Sequence, residues 1–235
     1  MSVIERFVTV LVPVFRNEET LVELHRRVAT ELARCGFSYE ILLIDDASDD
    51  RSAEVIRAIM KRDPAVRLLS QDRNSGQQQA VLRGMREARG ELVAVLDADL
   101  QDPPEALGIL LSHLDDSVDV VFAGRRGEYE SKARLRASRV FKRWIARLTA
   151  LPADAGMFLV MKARVAHDIL ESTPKPFYLP TATMAVTRRV LSIPVERSWR
   201  GEGTSQYSVL GRLRLGIAVA IGALRLRSRR RSSTS

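Results

Sequence analysis

Val93-Ala94-Val95-Leu96-Asp97-Ala98-Asp99-Leu100-Gln101-Asp102-Pro103-Pro104-Glu105 decides how the rest of the chain is read. An unbroken apolar run meets three carboxylates, and a Pro-Pro pair then opens a helix. Such a run is the pattern of a strand covered on both faces, as in a parallel sheet. The carboxyl ends of strands in open α/β sheets are where ligands bind. On a continuing strand Asp97 and Asp99, two residues apart, face the same way. With the Gln101 amide they form a hard oxygen set suited to Mg²⁺ or Mn²⁺ on a diphosphate. Helix capping is the competing reading, and Asp102 is placed for it. Three acidic groups at one strand end nevertheless repel one another and call for a cation.

Working outward, apolar β-rich runs at residues 7–13, 39–44, 66–69 and 118–123 alternate with helical patterns at 18–34, about 55–59, 77–89 and 104–114. That alternation predicts βαβ units around a mostly parallel sheet with helices on both faces. The loops after the first, second and fourth strands then share one edge. Beyond Gly124 a basic segment with an apolar stripe (Leu135, Val140, Phe141, Trp144, Ile145, Leu148) predicts an amphipathic helix. A strand entry from Asp154 to Met161, a helix over 162–171 and an edge strand over 189–195 follow, the last because Pro194 cannot donate to a ladder. Residues 1–205 read as one catalytic-sized unit and 206–235 as a basic amphipathic segment. The ten apolar residues Leu215–Leu224 fall short of the ~20 that cross a bilayer. With arginines on both sides they predict an interfacial helix against an anionic membrane.

Charge divides the chain: net −8 over residues 1–124 and +16 over 125–235, summing to +8. An acidic half fit for a metal precedes a basic half fit for phosphates. Nucleic acid is the competing partner for such a basic half, but no helix-turn-helix, zinc or RNA-binding pattern accompanies it. The single cysteine, Cys35, rules out an intrachain disulfide and fits a reducing, cytoplasmic setting. His25, His113 and His167 match no zinc spacing. Met1–Arg6 leads straight toward a strand, with no secretory signal pattern.

Four strings, VPVFRNEE at 12–19, IDDASDD at 44–50, DADLQDPPE at 97–105 and RGEGTSQYS at 200–208, resemble family 2 glycosyltransferases of the GT-A (Rossmann-related) fold. The nearest likeness is to dolichyl- and bactoprenyl-phosphate sugar synthases, over about residues 7–215. The resemblance implies that Pro13, Phe15 and Glu18 line a nucleoside pocket and that Asp46, with Asp45 beside it, bonds the base. It implies that Asp97, Asp99 and Gln101 hold Mg or Mn on the diphosphate of a UDP- or GDP-sugar, with Ala98 between them part of the same donor site. Arg125, Arg136 and Arg139 would receive the acceptor phosphate, and Arg200 and Ser205 would meet the donor phosphates.

Four positions depart from the family's pattern. Arg16 stands where Asn is common, Ala47 replaces a Gly, Gln206 replaces a Lys, and Gly156-Met157-Phe158-Leu159 lacks an Arg. The membrane helices of many bacterial relatives have no counterpart in these residues. The activity implied is inverting sugar transfer to a polyprenyl phosphate, at the inner face of the cell membrane. One alternative is a soluble transferase acting on a hydroxyl of a lipid or secondary metabolite, with Asp102 as base. The other is a non-catalytic membrane or nucleic-acid binding module. Oligomeric state leaves no mark in the sequence.

Overall fold

The computed structural model describes residues 6–126, 151–172 and 177–197. Among these residues seven strands form one sheet: β1 (Phe7–Val14), β2 (Ser38–Asp45), β3 (Val66–Ser70), β4 (Leu92–Val95), β5 (Val120–Arg126), β6 (Leu159–Lys162) and β7 (Val190–Glu196). Their order is β3-β2-β1-β4-β6-β5-β7. Only β6 runs against its neighbours, β4 and β5, so the other six end on one common edge. The switch in strand order falls between β1 and β4, where open α/β sheets form their ligand crevice.

Six helices cover the two faces among the described residues. On one side lie α1 (Leu21–Arg34), α2 (Ser52–Met60) and α4 (Ala106–Ser112). Leu24, Val28 and Leu32 of α1, Ile56 of α2 and Leu110 of α4 pack there on Val8, Val10, Val12 and Leu43. The other side carries α3 (Gln77–Glu87), α5 (Ala163–Ser172) and α6 (Leu179–Val186). Val81, Met85, Ile169 and Met184 there meet Leu11, Leu42, Val95 and Phe122. Alternate residues of β1 thus feed opposite cores, as a period of two requires. The apolar runs read from sequence are strands buried on both faces.

Some boundaries differ from expectation. α1 starts at Leu21 rather than near Glu18, because Asn17 O accepts from both Thr20 N and Leu21 N and closes a turn first. Pro13 does not end β1 but lies inside it, opposite Ile44 of β2. It is tolerated because pairing with β4 stops at Leu11, so no ladder on that side needs an N–H from residue 13. β7 is the edge strand expected, with Pro194 opposite Gly124. α6 has no warning in the sequence, since it is Thr-rich and lacks apolar periodicity. Its Thr181 and Thr183 hydroxyls donate back to Tyr178 O and Pro180 O. The predicted helices within 127–150 and 206–226 lie outside the described residues. Among the described residues no helix is long and apolar enough to cross a membrane.

Candidate active site at the carboxyl edge of the sheet

The loops after β1 and β2 are laced together. Arg16 N donates to Ser48 Oγ (3.1 Å), Asn17 N to Ser52 Oγ (2.9 Å) and Glu18 N to Asp50 Oδ2 (3.2 Å). In return Arg51 N donates to Glu18 Oε2 at 2.7 Å. Arg16 also forks onto Asp49 and lies 5.2 Å from the Phe15 ring centre. Pro13 is buried within β1, whereas Phe15 is partly exposed at the start of the loop.

The expected base-binding pair divides its work. Asp46 accepts from Gln71 Nε2 (2.7 Å), Ser75 N (2.8 Å), Ser75 Oγ (3.0 Å) and Gly76 N (2.7 Å). These bonds shape the loop into α3, where Gly76 takes a φ of 87°. Asp45 accepts from Ser48 N at 3.1 Å. Asp46 is therefore first of all the organiser of the loop leading into α3.

The acidic motif is a turn and not a strand. β4 ends at Val95, and Asp97 and Asp99 lie beyond it, each half-buried. Asp97 accepts from the Gln77 side-chain amide at the start of α3. Asp99 Oδ1 accepts from Gln101 N at 3.1 Å. Thr20 Oγ1 donates to Ala98 O at 2.6 Å, tying this turn to the loop after β1. Leu100 has a φ of 56°. Two carboxylates and the Gln101 amide therefore come from one short turn, a donor set of the kind hard divalent cations take.

The sequence reads Asp102 as a helix cap or as a general base for a hydroxyl acceptor. Asp102 is 2% exposed, and Arg197 Nε and Nη2 donate to its two oxygens at 2.6 and 3.0 Å. Both Asp102 oxygens are thus engaged by Arg197 in this structure. The residue before α4 is Glu105, which instead pairs with Arg27 of α1.

Three residues at this edge escaped the sequence reading: Gln77, Arg197 and Asp154. Asp154 accepts from Ser192 Oγ at 2.9 Å and crowds the position a side chain at Gly124 would need. Gln77 was legible as the first residue after the Asn-Ser-Gly turn. Arg197 was not, since 95 residues separate it from Asp102. Arg136, Arg139, Arg200 and Ser205 lie outside the described residues, as does the Arg125 side chain.

The sequence profile described as glycosyl transferase family 2 matches residues 9–171, which takes in every one of these loops except Arg197. The chain belongs to family 2 of the glycosyltransferases. It is 35% identical over 209 residues to the undecaprenyl-phosphate 4-deoxy-4-formamido-L-arabinose transferase of Edwardsiella ictaluri, covering 87% of this chain. The chain spans 64% of that relative's length. Glucosyl-3-phosphoglycerate synthase of Mycobacterium tuberculosis, solved with Mn²⁺, UDP and phosphoglyceric acid, superposes with a TM-score of 0.68 at 15% identity, over 94% of this chain and 78% of its own. Mannosyl-3-phosphoglycerate synthase of Rubrobacter xylanophilus gives 0.65 at 18% identity, over 96% and 75%. The fold of this family 2 glycosyltransferase is thus GT-A-like.

Proposed function

We propose that this glycosyltransferase moves a sugar from a UDP- or GDP-sugar to a polyprenyl phosphate, with inversion at the anomeric carbon. The observation that carries the reading is the likeness, over 87% of the chain, to an enzyme named for undecaprenyl phosphate. Consistent with it is the edge of the sheet, where Asp97 and Asp99 lie at the switch between β1 and β4. Asp97, Asp99 and Gln101 would hold Mg²⁺ or Mn²⁺, which when bound offsets negative charge on the leaving nucleoside diphosphate. Phe15 and the loops organised by Glu18, Asp45 and Asp46 would take the nucleoside.

In the transfer, an acceptor phosphate oxygen forms a bond to the anomeric carbon as the bond to the donor diphosphate breaks. A phosphate monoester has a second pKa of about 6, so at neutral pH its oxygen is already deprotonated. The chain need not supply a base, in accord with Asp102 being occupied by Arg197. Arg125, Arg136 and Arg139 are proposed for the acceptor phosphate and Arg200 and Ser205 for the donor phosphates, on the family resemblance. The net +16 of residues 125–235 supports peripheral contact with an anionic membrane.

A two-phase assay tests this directly. Purified protein, labelled UDP- or GDP-sugar, Mn²⁺ and a polyprenyl phosphate in detergent should yield metal-dependent label in the organic phase. Asp99→Ala should lose it by at least about 100-fold. Label released only as water-soluble products would move the acceptor to a hydroxyl compound.

A further inference from the structure

Arg197 follows the last residue of β7, the strand at the far edge of the sheet from β3. Asp102 follows β4, which is separated from β7 by β6 and β5. Three strand spacings of about 4.8 Å lie between them, yet the two side chains meet in a forked contact, Arg197 9% and Asp102 1% exposed. The far edge of the sheet is thereby tied to the turn that carries Asp97, Asp99 and Gln101.

That turn needs holding. Leu100 sits in the left-handed region at φ 56°, where a branched side chain persists only if its surroundings over-determine it. Thr20 grips the turn on its upstream side through Ala98 O. Asp99 closes it internally on Gln101 N. Downstream, one residue past Gln101, the grip is Arg197 on Asp102. A buried ion pair is a poor means to stability, since apolar replacements often serve as well. What a guanidinium fork adds over an apolar contact is direction, because two parallel bonds fix both the place and the rotation of a carboxylate.

We infer that Arg197 is a positioning residue for the metal-binding turn: through Asp102 it sets how Asp99 and Gln101 are presented to a divalent cation on a nucleoside diphosphate. The inference rests on the metal reading given under the proposed function. Groups that orient metal ligands from outside typically change affinity by about 10–100-fold when lost.

The test is Mn²⁺ binding, read by electron paramagnetic resonance on the full chain with UDP or with GDP, beside thermal melting. Arg197→Lys keeps the charge but loses the fork. It should weaken Mn²⁺ binding by about tenfold while the melting temperature moves little. Arg197→Gln, which keeps one donor, is read the same way if the lysine variant does not fold. Wild-type affinity in variants that merely melt earlier would make the pair a structural pin and overturn the inference alone. No Mn²⁺ binding by the wild-type chain with either nucleotide would overturn the metal reading, and this inference with it.

Discussion

Three residues other than glycine have positive φ among the described residues: Arg16 at 55°, Ala47 at 58° and Leu100 at 56°. They sit just past the ends of β1, β2 and β4, so backbone strain is gathered in the three loops that face the switch point. Ala47 stands where the family pattern has Gly, and an L-residue there costs about 1–2 kcal/mol. Ala47→Gly should therefore stabilise the protein by about 1 kcal/mol, raising the melting temperature by about 2–4 °C. A fall in melting temperature would show that the alanine methyl makes a contact worth more than its strain. Asp46→Ala should act in the opposite sense, because it strips the acceptor from Gln71, Ser75 and Gly76 together. Both the melting temperature and nucleotide affinity should drop, since the loop into α3 loses its organiser.

Elements meet at two polar knots on the amino edge of the sheet. In one, Thr9 Oγ1 donates to Glu40 Oε1 and accepts from Gly90 N at 2.8 Å, joining β1, β2 and the approach to β4. A side chain at Gly90 would come within 2.5 Å of Thr9 N and 2.8 Å of Phe7 O, backbone atoms that cannot step aside. Gly90→Ala should cost about 3 kcal/mol, measured by denaturant unfolding. In the other knot, buried Asp119 faces Lys162, Arg164 and Arg189 and accepts from Thr187 Oγ1 at 2.9 Å. Burial alone would raise its pKa, but the Thr187 hydroxyl and the nearby cations more than offset this and hold it below the usual carboxylate range. A folded-state pKa lying below the unfolded value stabilises the protein above the unfolded pKa of about 3.9. That stabilisation is lost as pH falls through the folded value. Arg164→Ala removes one of the cations, so acid unfolding should begin at a higher pH than in the wild type. An unchanged acid midpoint would place the stabilisation with Thr187 and the other two cations.

At the scale of the whole molecule, one edge of the sheet gathers the loops after β1, β2, β3 and β4 with Asp154 and Arg197 from the mixed half. Binding there should tighten the whole chain. Mn²⁺ with UDP or GDP at about 100 times the dissociation constant adds ~2.7 kcal/mol, visible as a rise in melting temperature. Asp99→Ala should abolish the metal-dependent part of that rise. A metal-dependent rise that survives without Asp99 would place the metal on other ligands.

The strands, their parallel run and the edge bearing the acidic motif were legible because each rests on local patterns: apolar runs, turn residues and the period of two. DADLQDPPE identified the family and the expected metal ligands within nine consecutive residues. Tertiary structure alone decided that the motif is a turn and not a strand. It also decided that Asp46 shapes the α3 loop and that Asp102 belongs to Arg197. The reason is distance along the chain. A carboxylate's availability depends on which donor reaches it, and the donors to Asp46 and Asp102 come from 25 or more residues away. No pattern within a window of sequence records such a meeting; it exists only once the sheet has brought its edges together.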